Sequence, residues 1–584
     1  MKLALECLRL TNDRDSFRIS ELDWLIGFIL YNQGIPTTAV LFEQESLQQS
    51  QKETNATMQA ITATTLARLY ESMSDQRKAD ENVKLAEDAF RKMPRGFDQT
   101  RTELWLGIVK ARIALKQTRY IEAERLLERN LDIYSNQPFK VTWLPSQSLM
   151  LLARTYAETG RTREAAQKFN EAIDIVENDD QYLQSEKLRV KFDDERRDLY
   201  DSAIEFEYSN GSPDEAWLYL QKYRSKLFIE FLAQFDPNVE QAHSQALDRS
   251  RVQKLLPADA QVVEYALLKN RLLIWVISKE TFTVRSVQIE RSEVESSVQK
   301  VLQALRNRDD VDSLLIDLGK VLVEPVADLL DRNRTLVVIP DRALHGLPFG
   351  VVRRAGKPEY RLQEFSIIIS PNLTHLLLTK SAVPRRDRIT GFGSQNGTSS
   401  ELKELGALAS IYPKSQTFAG READKSNFLS AMSKAAVFHY AGHSAKDAVD
   451  PLRSAILLDG NSSGRNRITA VDIAQQRLSN NALIVLSSCD SSVGNSRDGI
   501  GVRGLTSAFL LGGAGSVVGS LWPVEASSTA DLMIRFHRAF ANSGIPVAKA
   551  LQQAQLKFLE SFPERSHPYY WSGFVVTGNL SALR

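Results

Sequence analysis

Two residues of the 584-residue chain combine a type and a setting suited to covalent catalysis, Cys489 and His443. Cys489 follows the apolar run Leu483-Ile484-Val485-Leu486-Ser487-Ser488, and His443 follows Ala435-Ala436-Val437-Phe438-His439-Tyr440-Ala441-Gly442. Both runs read as buried strands. If they are parallel neighbours, the side chains just beyond them share one edge of a sheet. A thiol attacking a carbonyl needs a base and its leaving amine needs a proton donor, and imidazole serves both near neutral pH. The separation is 489 − 443 = 46 residues, histidine first. A plainer reading stays open for each: a cysteine after an apolar strand can be a small buried hydrophobe, and a histidine near a strand end can be a hydrogen-bonded structural residue.

The surrounding pattern supplies elements to hold such a pair. Short β-branched runs recur at Thr335–Pro340, Ser366–Ser370, Arg388–Ser394, Ala435–Gly442, Leu483–Ser488, Gly515–Trp522 and Trp571–Thr577. Helical patterns such as Thr529–Ala541 and Pro546–Phe562 lie between most of them. That alternation predicts a mostly parallel sheet covered on both faces, with chemistry beyond the carboxyl ends of the strands. Before it, Val262–Leu268, Arg271–Ser278 and Phe282–Ile289 read as a meander.

Residues 1–235 read instead as helical hairpins. Ala39, Ala79, Ala123, Ala165 and Ala216 sit in similar contexts, spaced by 40, 44, 42 and 51 residues. The clearest unit is Leu152-Ala153, Tyr156 and Gly160, then Ala165, Phe169 and Ala172; those around Ala123 and Ala216 are degenerate. This resembles the tetratricopeptide (TPR) pattern with longer spacing, an array that offers a concave surface to a peptide or protein. The expected organisation is a TPR-like array over 1–235, a linker over 236–254, and an α/β region in two parts, 255–375 and 386–584.

Composition excludes several alternatives. Lys plus Arg is 73 against 72 for Asp plus Glu, so a charge of +1 gives no overall electrostatic footprint for nucleic acid or an anionic membrane. No apolar run approaches the roughly 18 residues of a membrane span, and Met1–Asn12 carries Glu6 and Arg9, unlike a signal peptide. Two cysteines, Cys7 and Cys489, cannot form a disulfide framework and fit a reducing compartment, so a cytoplasmic location is expected. Gly499-Ile500-Gly501-Val502-Arg503-Gly504 matches GxGxxG, but the polar segment 490–498 separates it from the preceding strand. There is no P-loop, no HExxH and no metal-ligand spacing among the histidines, so neither cofactor nor metal is expected.

Several ordered segments between about residues 255 and 580 resemble the CHAT family of caspase-like peptidases, commonly fused to TPR arrays. Pro340-Asp341-Arg342-Ala343-Leu344-His345-Gly346-Leu347-Pro348-Phe349 is similar to its "PdgxLhxlPf" stretch. His439-Tyr440-Ala441-Gly442-His443 looks like "HfAtHg", and Leu486–Ser491 like "LSACet". Gly501–Val524 is similar to "GvxgLxraFlxAGAxsVvxsLWpV", and His567–Phe574 to "HPyyWaaF". Histidine before cysteine at a spacing near 50 is also the caspase order, whereas papain-like enzymes run cysteine first.

The resemblance implies an N-terminal all-α solenoid followed by an α/β caspase-like domain, with Cys489 as nucleophile and His443 as general acid/base. It makes His439 structural and draws the oxyanion hole from the backbone N–H groups of Cys489 and Ser444, the latter usually Gly in the family. The strand ending at Trp522 and the loop at Glu525, where the family usually reads "VdD", would border the substrate groove. Asp490 and Glu525 are candidates to favour a basic P1 residue, or are solvated loop carboxylates. The leading expectation is a cysteine endopeptidase whose array recruits a protein substrate or regulator, with no nucleic-acid or membrane partner. The alternative is a TPR scaffold with an inert pseudo-peptidase half.

Overall fold

The computed structural model describes residues 16–32, 34–137, 143–178, 186–233, 247–357, 359–379, 385–447, 451–458, 467–478, 482–488, 504–542 and 544–583. They form two compact units, Met1–Ala216 and Trp217–Arg584.

In the first unit the small-residue repeat becomes geometry. Helices run over Ser16–Asn32, Pro36–Lys52, Ala56–Ser72, Gln76–Phe90, Phe97–Lys116, Tyr120–Ser135, Trp143–Glu158, Thr162–Glu177 and Glu186–Ser209, and Pro213–Ala233 follows across the boundary. Ala39, Ala79, Ala123, Ala165 and Ala216 are each the fourth residue of their helix, and each is completely buried. Five residues before each alanine stands a left-handed residue: Gly34, Ser74, Thr118, Gly160 and Gly211, with φ of 73°, 61°, 56°, 78° and 79°. The next N–H reaches back over the end of the preceding helix, as Ile35 to Leu30, Asp75 to Tyr70, Arg119 to Ala114, Arg161 to Tyr156 and Ser212 to Glu207, all within 3.0 Å. Ser74 and Thr118 hold this conformation at a cost of about 1 kcal/mol. The degenerate units around Ala123 and Ala216 thus keep the same turn as the clear one around Ala165.

The second unit carries an eleven-stranded sheet. Its strands are β1 Ala260–Leu267, β2 Arg271–Ile277, β3 Phe282–Gln288, β4 Thr335–Ile339, β5 Ile367–Ile369, β6 Arg388–Phe392, β7 Lys414–Phe418, β8 Val437–Ala441, β12 Leu483–Ser487, β13 Ser516–Ser520 and β14 Phe574–Gly578. Their order is β3-β2-β1-β4-β5-β14-β13-β12-β8-β6-β7. A separate three-stranded sheet joins β9 His443–Ala445, β10 Ala455–Leu457 and β11 Arg467–Thr469. The fold class expected from the sequence is therefore present, a helical array followed by a mostly parallel α/β sheet. The seven expected strands and the meander are all in one sheet, because β14 pairs antiparallel with β13 and parallel with β5.

The units part at Ala216, earlier than residue 235, and the reason is a buried charge. Glu264 sits in the middle of β1 with no exposed surface. Its oxygens accept from Trp217 Nε1 at 2.9 Å, Gln221 Nε2 at 2.9 and 3.0 Å, and Arg224 at 2.6 Å. A buried carboxylate stays ionised only when so supplied, which ties these helical residues to the sheet. Of the expected linker, the structure describes residues from 247 on, where a short helix spans Arg249–Leu255.

Around β8 and β12 the two faces differ. Phe438, Tyr440, Ile484 and Leu486 enter an apolar core with Phe392, Phe428, Leu505 and Phe509. By strand alternation, His439 and Ser487 meet polar groups of other helices, which leads to the site.

Candidate active site

β8 and β12 are parallel neighbours, with Val437 opposite Leu483 and Ala441 opposite Ser487. The ladder continues one step, the Gly442 N–H donating to the Ser487 carbonyl at 3.3 Å. His443 lies two residues beyond Ala441 and Cys489 two beyond Ser487 in the sequence. Cys489 and Asp490 themselves lie outside the described residues. The last described residue of that segment, Ser488, has its carbonyl held by the buried Ser520 hydroxyl of β13 at 2.6 Å.

His443 opens β9 opposite Leu457. Its backbone is pinned by Tyr440, whose hydroxyl accepts from the His443 N–H at 3.0 Å and lies 2.9 Å from the His443 carbonyl and 3.2 Å from that of Leu457. This fold-back requires Gly442, because a Cβ there would stand 2.4 Å from the tyrosine oxygen. The His443 side chain is 51% exposed, with Nε2 3.8 Å from Glu401 Oε1. The edge therefore presents an imidazole that is fixed at its backbone and open to solvent.

Glu401 and Glu404 come from one helix, Ser399–Ile411. Glu401 Oε2 accepts from Ser394 Oγ at 2.6 Å and Oε1 from the N-cap Thr398 Oγ1 at 3.3 Å. Glu404 Oε2 accepts from Ser487 Oγ at 3.0 Å, and its Oε1 lies 3.0 Å from His439 Nε2, an ion-pair distance without hydrogen-bond alignment. His439 Nδ1 is 3.0 Å from His537 Nε2, and His537 Nδ1 is 2.8 Å from the Tyr412 hydroxyl. All five groups are buried. Burial first, and His439 second, hold His537 well below the ordinary histidine range. Burial likewise pushes the Tyr412 phenol up. Tyr412, His537 and His439 thus form a chain of ring-nitrogen and hydroxyl contacts that ends at the carboxylate. One carboxylate lies between β8 and β12 near their carboxyl ends.

The remaining expected site residues are placed as follows. Ser444 lies in β9 opposite Ile456. Trp522 does not line a groove: its ring is completely buried, Gly573 packs closely on it, and its indole N–H donates to the Tyr569 carbonyl at 3.1 Å. Glu525 is spent as a helix cap, accepting from the Ser527 and Ser528 N–H groups at 3.1 and 2.7 Å and from Ser527 Oγ at 3.1 Å. Burial alone raises its pKa, but those hydrogen bonds outweigh burial and hold it below the ordinary value. Sequence reasoning missed Glu401, Glu404, Ser520 and His537. The available signal was two acids at 401 and 404 on the same helical stripe as Leu405 and Leu408, where an amphipathic helix should be apolar.

Among the described residues no group of His, Cys, Asp and Glu has the arrangement of a metal site, and no helix is long and apolar enough to cross a membrane.

Residues 313–579 match the CHAT domain, and residues 105–178 match a tetratricopeptide repeat. Tetratricopeptide repeat protein 28 of Homo sapiens is 23% identical over 306 residues, a match covering 42% of this chain and 12% of that protein. The Mus musculus protein of the same name is 24% identical, with the same coverage. The match therefore spans about an eighth of the length of these curated relatives. Among solved structures, the Saccharomyces cerevisiae separase–securin complex aligns with a TM-score of 0.50 at 12% identity, covering 99% of this chain and 51% of that one. At that identity the likeness concerns the fold alone. The chain combines tetratricopeptide repeats with a CHAT domain of caspase-like fold.

Proposed function

We propose that the chain is a cysteine endopeptidase acting through His443 and Cys489. The observation that carries this reading is the β8–β12 register, which pairs Ala441 with Ser487 two residues short of each reactive position. The exposed His443 imidazole and the CHAT match support it. In this reading the Cys489 thiol attacks the scissile carbonyl while His443 takes its proton, then returns it to the leaving amine. Backbone N–H groups of Cys489 and Ser444 stabilise the oxyanion. An extended protein substrate docks as an added strand. With Glu525 committed to its helix, Asp490 is the remaining candidate of that pair for favouring a basic P1 residue. The repeat array recruits the substrate or a regulatory protein.

The second reading, a protein-binding module whose α/β half is inert, is favoured by the curated relatives, whose name records only the repeats. A cleavage profile on a diverse peptide library separates the two. The peptidase reading expects cleavage by the wild type, a fall of about 10³-fold or more in Cys489→Ala, and cut sites that fix P1. Cleavage that persists in the variant overturns the assignment of Cys489.

A further inference from the structure

We infer that Glu401 is a positioning residue that orients His443; this rests on the peptidase reading. An imidazole serving as acid and base must present one chosen nitrogen to the thiol, and what the other nitrogen faces decides which. Here Nε2 faces the Glu401 carboxylate at 3.8 Å. That leaves Nδ1 to receive the thiol proton as the S–C bond forms, and to deliver it to the amine as the C–N bond breaks. Nε2 keeps its hydrogen toward Glu401 throughout.

The two partners differ in freedom. Glu401 is 11% exposed and held by three contacts: Ser394 on one oxygen, Thr398 on the other, and its own backbone N–H on Thr398 Oγ1 at 3.3 Å. The half-exposed imidazole can rotate, and a closure of about 1 Å brings Nε2 within hydrogen-bond reach, a tightening common between free and substrate-bound enzymes. The carboxylate therefore waits at a fixed point and the imidazole comes to it. The oxygen that faces His443 is Oε1, which Thr398 Oγ1 also holds, so the N-cap contact fixes the atom to which the imidazole turns.

Glu401→Gln tests the charge, because glutamine keeps the side-chain length and an oxygen that accepts a hydrogen bond but carries no charge. The full-length wild type, Glu401→Gln and Glu401→Asp are compared in peptide cleavage. The expected result in Glu401→Gln is a kcat lower by about tenfold or more while KM stays within about twofold. Glu401→Asp, which restores the charge, recovers most of the lost kcat. A kcat in Glu401→Gln within about twofold of a cleaving wild type, or no recovery in Glu401→Asp, overturns the inference. A wild type that never cleaves removes the peptidase reading, a result distinct from a cleaving wild type whose variant is unchanged.

Discussion

The two halves of the sheet treat the carboxyl ends of their strands in opposite ways. In the half built from β1–β5, the ends are closed. Asp341, two residues past β4, accepts from the Leu267 N–H at the end of β1 at 2.8 Å and lies 3.5 Å from Arg224, whose guanidinium also reaches Glu264 and the carbonyls of Tyr265 and Pro340. Arg224 meets both Glu264 and Asp341 there under cover. In the half built from β6, β8, β12 and β13, buried groups brace the strands from below, through Glu404, His439 and Ser520, while His443 emerges into solvent. One architecture yields a sealed edge and an open one.

That contrast predicts a ranking of stability effects. Arg224→Ala leaves Glu264 buried without its countercharge and should cost about 3–5 kcal/mol. Glu404→Gln puts an amide in place of the carboxylate between Ser487 and His439 and should cost about 1–3 kcal/mol. Denaturant unfolding of both variants checks the order, and a larger loss from Glu404→Gln would break the distinction between sealing and bracing charges.

The repeat unit sharpens the comparison from outside the sheet, through a buried acid. Among the described residues neither Glu43 oxygen has a hydrogen-bond partner, and the side chain fits because Gly27 leaves room for it. Burial first, then Asp23, pushes its pKa well up. Burial and then Glu45 raise Asp23 from 3.8 to about 6. For Asp23 the folded state holds its proton where the unfolded chain has lost it, so this contribution to stability is complete below pH 3.8 and is lost as the pH rises through 6. Asp23→Asn should flatten that slope and raise hydrogen-exchange protection of the 16–52 hairpin at pH 7. An unchanged slope would mean the acids are ionised together, against the rule that separates them from Glu264.

Much of the fold was legible in the chain. The apolar runs of β8 and β12 announced two buried strands. The five alanines marked the hairpins, but their turns were visible only where glycine stands; Ser74 and Thr118 adopt the same left-handed geometry without a compositional sign. β7, Lys-Ser-Gln-Thr-Phe at an exposed edge, has no apolar run to betray it, and the strands of the small sheet are three residues each. The resemblance places Trp522 and Glu525 beside the groove. Which way a ring points, and whether a carboxylate is already spent on its own helix, is decided by packing that no spacing records. Glu404 was hidden for a related reason, since Ser487 and His439 lie far from it in sequence.

The most direct test of the open edge is covalent capture of the dyad. Wild type and His443→Ala are treated with a set of peptidyl electrophiles, and adducts are located by mass spectrometry. The account predicts one adduct, on Cys489, forming at least tenfold faster in the wild type than in the variant. Equal labelling in the two proteins, or labelling at Cys7 alone, would contradict it.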